Sequence, residues 1–263
     1  MSMMEDRHDR TRSLLPQGAM EKLAASRVLV AGLGGVGSWA VEALARSGIG
    51  QLVLVDYDQV SPSNLNRQLY ALESTLGQAK CLLAQDRIRD INPAIQVQSF
   101  QKRLEAGQLA DFLNQHGPFD YIVDAIDSLD AKADLLAQAV NRGIPVISSM
   151  GMGNRLDPAA LCISDLSKTH TDPLAKRLRQ ALRATDLEKI QVVFSKEKPS
   201  RPRAPRGLIG SLPYLPPVAG FLMASRVVGD LSLASAGLDL PSDQADEGEE
   251  QEGSQVDQDN DRT

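Results

Sequence analysis

A short apolar run, Arg27–Ala31 (RVLVA), ends on the glycine-rich turn Gly32–Gly37 (GLGGVG), and a stretch with helical spacing, Ser38–Ser47, follows at once. Gly32, Gly34 and Gly37 satisfy G-x-G-x-x-G, and Gly35 adds a further glycine. A strand that enters a helix through such a turn exposes backbone N–H groups at the helix N-terminus, where the helix dipole favours negative charge. Gln51–Val55 (QLVLV) reads as a second buried strand and delivers Asp56 at its end, placed to accept hydrogen bonds from ribose hydroxyls. Strand, turn, helix and strand make a βαβ unit, and a phosphate-bearing nucleotide is the expected ligand. The turn alone does not decide between nucleotides.

The pattern continues. Met20–Ala25 reads as a short helix before the first strand, Gly77–Ile91 as a helix that stops before Pro93, and Ile95–Phe100 as an alternating strand. Leu104–Gln115 and Lys132–Arg142 have helical spacing, while Asp120–Val123 and Ile144–Ser149 read as buried strands. Alternating β and α predicts a Rossmann-like α/β fold: a doubly wound, mostly parallel sheet with helices on both faces. Leu212–Leu231 returns to apolar helical spacing after Pro217 and is expected to pack back on the sheet. The resulting division is an N-terminal arm and helix at 1–26, a nucleotide-binding domain at 27–238, and a tail at 239–263.

Charge is unevenly distributed. The formal net charge is −6, but ten acids and one base lie from Asp239 onward, so the body holds 24 acids against 27 bases, about +3. The tail is rich in Asp, Glu, Gln, Ser and Gly and is expected to be disordered. Segment 168–206 carries eleven bases against four acids, and Lys196–Arg206 (KEKPSRPRAPR) reads as a basic loop. Such a segment suits a nucleic-acid backbone, or is simply a solvated face. The two cysteines, Cys81 and Cys162, form no C-x-x-C pair, which argues against a structural zinc site and a disulfide framework. The late apolar stretch Gly220–Leu240 is interrupted by Arg226 and Asp230, against a membrane span, and a cytoplasmic location is expected.

The residues after Asp56 narrow the nucleotide. Asp56–Gln68 (DYDQVSPSNLNRQ) holds Asn64, Asn66 and Arg67 in a turn-rich stretch, and Lys80 follows at the start of a helix. Two cations within reach of one polyphosphate suit phosphate displacement, whose catalysis is largely positioning and charge neutralisation. Asp127 follows a parallel strand, where open α/β sheets place their ligands, and a carboxylate beside a triphosphate can anchor Mg²⁺. Each residue also has a structural alternative. Lys80 can be a surface lysine, Arg67 can pair with Asp58, and Asp124 or Asp127 can cap the next helix. Cys81 has no neighbouring base in the sequence to activate it.

Taken together, GLGGVG, LVDYDQVSPSNLNRQ (Leu54–Gln68), GQAK (Gly77–Lys80) and DAIDS (Asp124–Ser128) resemble the ThiF-like family, related to ubiquitin-activating enzymes. The resemblance implies ATP and Mg²⁺ as cofactors and adenylation of a carboxylate. It implies that Gly32, Gly34, Gly35 and Gly37 face the phosphates, that Asp56 binds ribose, and that Asp58, Ser63, Asn64, Asn66 and Ser128 contact the nucleotide. Arg67, Lys80 and Asp127 would be the catalytic set, with Asp127 on the metal. Arg10, in RHDRT, matches a position from which family members reach a neighbouring subunit's site, implying a homodimer. Within the family, the longer matches GLGGVGSWAVEALARSGIG (Gly32–Gly50), INP (Ile91–Pro93), YIVDAIDS (Tyr121–Ser128), DLSKTHTDPLAKRLR (Asp165–Arg179) and PPVAGF (Pro216–Phe221) resemble the subgroup that dehydrates threonylcarbamoyladenosine beside the tRNA anticodon. That subgroup implies tRNA as partner, and the resemblance also allows a sulfur-transfer or desulfurase-type protein partner. The alternative subgroup adenylates the C-terminal glycine of a ubiquitin-like sulfur carrier and usually carries two C-x-x-C pairs, which this chain lacks. Residues 183–208 and the acidic tail depart from the dehydratase pattern.

Overall fold

The computed structural model describes residues 6–200 and 209–233. The expected acidic tail and positions 201–206 of the basic loop lie outside the described residues. Seven strands form one sheet in the order β3-β2-β1-β4-β5-β7-β6. They are β1 Arg27–Ala31, β2 Gln51–Val55, β3 Gln96–Phe100, β4 Tyr121–Asp124, β5 Val146–Ser149, β6 Leu161–Asp165 and β7 Ile190–Ser195. All neighbours pair in parallel except β6 with β7. The sheet is buried from both sides, so its central strands are continuous apolar runs rather than alternating ones. Val28–Ala31 and Leu52–Val55 are all buried.

The helices are α1 Asp9–Arg12, α2 Ala19–Ala25, α3 Gly37–Ser47, α4 Lys80–Ile91, α5 Leu109–His116, α6 Leu129–Asn141, α7 Pro173–Ala181 and α8 Leu215–Leu233. On one face α3 packs against α4 and α8, and α2 against α8; on the other, α6 lies between α5 and α7. The order turns back between β1 and β4, because β1 leads to β2 and β3 on one side while β4 leads to β5 on the other. A crevice opens at the carboxyl ends of strands where the winding reverses.

Two expected helices start later than their spacing suggests. The stretch expected from Gly77 becomes helical only at Lys80, because Gly77 has φ +78 and Ala79 bridges to Gln59. The one expected from Leu104 begins at Leu109, and the residues before it form a loop at the sheet's edge. The larger correction concerns the basic segment. Ile190–Ser195 inside it is a mostly buried strand between β5 and β6, and α7 buries Ala175 and Leu178. Its charges therefore sit on the outside of an ordinary core layer: Lys168, Lys176, Arg177, Arg183 and Lys189 are exposed.

The glycine turn is held by close backbone approach. A Cβ on Gly37 would lie 1.8 Å from the Gly32 carbonyl oxygen, and one on Gly32, which has φ +91, would lie 2.6 Å from the Ala125 carbonyl. At Gly34 the nearest atom to such a Cβ is 3.8 Å away. Gly37→Ala is therefore expected to lower stability by about 3 kcal/mol through overpacking, whereas Gly34→Ala should stay within about 0.5 kcal/mol of wild type. Urea unfolding of the two variants checks the contrast.

Candidate active site

The crevice at the β1/β4 switch holds a cavity of about 340 Å³. Its lining comes from the carboxyl ends of four strands: Gly32, Gly34, Gly35 and Val36 after β1, Asp56–Asp58 after β2, Lys102–Leu104 after β3, and Ala125–Ser128 after β4. Asn64, Arg67, Gln68 and Lys80 close it from the segment between β2 and α4.

Asp56 is 8% exposed and its carboxylate is fixed from both sides. The Leu33 N–H donates to Oδ2 at 2.6 Å and the Asp58 N–H to Oδ1 at 2.7 Å. Burial pushes its carboxyl above the usual carboxylate range, and the two N–H donors only partly offset this. Lys80, at the start of α4, is 3% exposed and donates from Nζ to Asp58 Oδ2 at 2.9 Å. The partner of Asp58 is thus Lys80, while Arg67 donates from Nη1 to the Ser63 carbonyl at 2.9 Å and to Asn66 Oδ1 at 2.8 Å. The Arg67 stem lies against Gly35, where a Cβ would sit 3.2 Å from Cγ. The turn that carries Arg67 is pinned by the Trp39 indole N–H, which donates to the Arg67 carbonyl at 3.2 Å. Asp127 is exposed at the mouth, and Ser128 beside it is the N-cap of α6.

Four expected residues do not line the cavity. Gly37 serves the close approach of turn and helix described above. Ser63 shares a 3.0 Å hydrogen bond with Ser61 Oγ, and Asn66 donates to the Ser211 carbonyl at 3.0 Å; both shape the turn beneath Arg67. Asn64 does line it, and its Oδ1 also accepts the Ser61 N–H at 3.1 Å. Arg10 sits on α1 by the amino-terminal ends of β2 and β3, the end of the sheet opposite the cavity. There Arg7 donates to the Ile91 carbonyl at the end of α4, and His8 and Arg12 border a cleft with Gly48, Gly50 and Gln96. Within this chain Arg10 is remote from the cavity.

Sequence reading missed Tyr57, Gln68, Lys102, Arg103, Leu104 and Ile126. The Arg103 guanidinium lies 5.0 Å from the centre of the Tyr57 ring. Topology was the available signal: the end of β3 is adjacent to that of β2, so its loop must border the same crevice. The expected early helix start at Leu104 hid it. Among the described residues no three His, Cys, Asp or Glu side chains form a cluster able to hold a metal ion. A Mg²⁺ ion bound through one protein carboxylate and the phosphates of its nucleotide needs no such cluster, so Asp127 fits that role. Cys81 is buried, and burial pushes its thiol up, away from the reactive thiolate. Cys162 is also buried, with Sγ 3.8 Å from the Phe194 carbonyl oxygen.

The ThiF family profile matches residues 8–229. This chain belongs to the ThiF family. Among ThiF family members, the Bacillus subtilis protein named tRNA threonylcarbamoyladenosine dehydratase is 42% identical over 85% of this chain and 94% of its own length. The solved structure of the Escherichia coli tRNA N6-threonylcarbamoyladenosine dehydratase in complex with ATP superposes with a TM-score of 0.81 at 34% identity, covering 88% of this chain and 95% of that one. The same enzyme in complex with AMP gives a TM-score of 0.82. A Haemophilus influenzae molybdopterin-synthase adenylyltransferase, from the alternative ThiF subgroup, is 32% identical over 61% of this chain and 64% of its own length. Among the described residues no helix is long and apolar enough to cross a membrane.

The raised carboxyl of Asp56 makes a pH prediction. In the ribose-binding role that the family resemblance implies, Asp56 would accept hydroxyls as the ionised carboxylate, and protonation would remove acceptor capacity. Because burial raises its pKa, ATP affinity should begin to fall on acidification at a higher pH than an ordinary aspartate would give. Calorimetric titration of ATP downward from neutral pH should show this loss, and Asp56→Asn should flatten it while weakening binding at neutral pH.

Proposed function

We propose that this chain is an ATP-dependent tRNA threonylcarbamoyladenosine dehydratase. The convergence of Arg67, Lys80 and Asp127 around one cavity, with the glycine turn as floor and Asp56 as wall, supports the ATP-dependent chemistry, and the tRNA substrate rests on the 42% identity to the Bacillus subtilis dehydratase over 94% of its length. In this reading Asp56 would hold the ribose of ATP, Gly34 and Gly35 would face its phosphates, and Arg67 and Lys80 would meet the leaving pyrophosphate. Asp127 would hold Mg²⁺, which would supply charge neutralisation at the phosphates.

The threonyl carboxylate of the modified adenosine attacks the α-phosphorus of ATP. An oxygen–phosphorus bond forms, the α–β phosphoanhydride bond breaks, and pyrophosphate leaves. The activated carbonyl is then attacked by a group of the same modified base, which gives up its proton; the ring closes, the acyl–oxygen bond breaks, and AMP departs carrying the former carboxylate oxygen, so the base ends one water lighter. Closure within one base gains effective concentration and requires no enzyme nucleophile, which suits a chain whose two cysteines are buried. Lys80 and Arg67 act on the departing charge from fixed positions, because Lys80 is anchored by Asp58 and Arg67 by the Ser63 carbonyl. The exposed bases of α7 and its flanks, Lys176, Arg177 and Arg183, are assigned to the tRNA backbone. A second copy of the chain is assigned to bring Arg10 to the site.

Mass spectrometry of threonylcarbamoyladenosine-containing tRNA treated with this chain and ATP should show the cyclic product, one water lighter, with release of pyrophosphate. Arg67→Ala, Lys80→Met and Asp127→Ala should each slow that release by about a hundredfold or more. Full activity in all three would overturn the site. Adenylation of a Gly-Gly-terminated small protein, with none of the tRNA, would favour the alternative subgroup. Lys176→Glu with Arg177→Glu should weaken tRNA binding and reduce the slope of log affinity against log salt by about two, leaving ATP affinity unchanged.

A further inference from the structure

Lys132 is 0% exposed, and so is its partner Asp124. Such a lysine is costly to bury and persists only when its charge is matched and its donors are used. Here Nζ donates to Asp124 Oδ2 at 2.6 Å, to Ser148 Oγ at 3.0 Å and to the Ser149 carbonyl at 3.1 Å, which uses all three protons. The Ser148 hydroxyl donates to the same Asp124 Oδ2 at 2.6 Å. The other carboxylate oxygen, Oδ1, accepts the Ile126 N–H at 3.1 Å. The network thus ties α6, the end of β4 and the adjacent β5 to the backbone one residue before Asp127. On its other side the same turn is held by the glycine loop, since the Ala125 N–H donates to the Ala31 carbonyl at 2.8 Å and the Ala125 carbonyl abuts Gly32.

We infer that Lys132, with Asp124 and Ser148, is a positioning device for Asp127: it fixes the turn on which that exposed carboxylate meets the metal–nucleotide complex. The inference rests on the proposed function of Asp127. A plain structural ion pair would support the sheet anywhere along β4 and β5; this one is built into the two-residue turn, Ala125 and Ile126, between the strand and the carboxylate. Groups that orient a metal-binding side chain govern metal affinity without touching the metal.

The test measures how much Mg²⁺ strengthens ATP binding, by calorimetry on the full chain with ATP alone and with ATP plus Mg²⁺. Lys132→Met should reduce that Mg²⁺-dependent gain by about tenfold or more while ATP alone binds near the wild-type level. The paired change Asp124→Asn with Lys132→Met removes both buried charges and is the variant to use if the single change unfolds. Ser148→Ala, which leaves the ion pair intact, should give a smaller loss in the same direction. Asp127→Ala is the reference and should abolish the gain. If Asp127→Ala loses the gain while the folded lock variants keep it and only melt earlier, the positioning inference is overturned and the site reading stands. If Asp127→Ala keeps the gain, the metal role of Asp127 falls and the inference falls with it.

Discussion

Everything at the crevice depends on how closely three backbone segments approach one another. The Gly32 carbonyl lies where a side chain on Gly37 would be, and the Ala125 carbonyl lies where one on Gly32 would be. This contact joins the turn after β1, the start of α3 and the turn after β4 into one rigid rim. Only residues without Cβ permit it, and it sets both the direction of the α3 N–H groups and the position of the Asp124–Ser128 turn. The cavity is therefore the gap between two tightly braced turns rather than a space left by loose packing.

Charge is then distributed around that rim by residues whose own partners are settled. Asp56 is held by two backbone N–H groups, Lys80 by Asp58, and Arg67 by the Ser63 carbonyl and Asn66. A site that must stabilise charge as it develops benefits from groups that do not have to reorganise, and these interactions remove most of their freedom before any ligand arrives. The buried Lys132 network does the same for the turn that bears Asp127. In the low-dielectric interior beneath the crevice such a network is stable only when complete, which makes its geometry specific.

The basic surface has a different physical character. Its lysines and arginines project from a core layer made of α7 and β7, and Lys168 and Lys189 are already paired with Asp165 and Asp186. Exposed pairs of this kind contribute little to stability, so these residues are free to exchange partners with a polyanion at small cost. These cations are spaced by the helix and strand beneath them, whereas Lys196–Ser200, the described part of the expected basic loop, leaves β7 without regular structure.

The sequence by itself determined the βαβ start of the fold, the mostly parallel sheet and the gathering of Gly32, Gly34, Gly35, Asp56, Arg67, Lys80 and Asp127 around one cavity. These follow from patterns that are local along the chain: apolar runs, a glycine turn, and acids or bases at the ends of strands. Only the tertiary structure decided the rest. It showed that Lys80 rather than Arg67 pairs with Asp58, that Lys102 and Arg103 border the cavity, that β7 inserts between β5 and β6, and that Lys132 closes on Asp124. It also separated Ser63 and Asn66, which support the Arg67 turn, from the residues that line the cavity. Each of those facts is a contact between segments brought together by strand order. Spacing along the chain does not encode strand order once the winding of the sheet reverses.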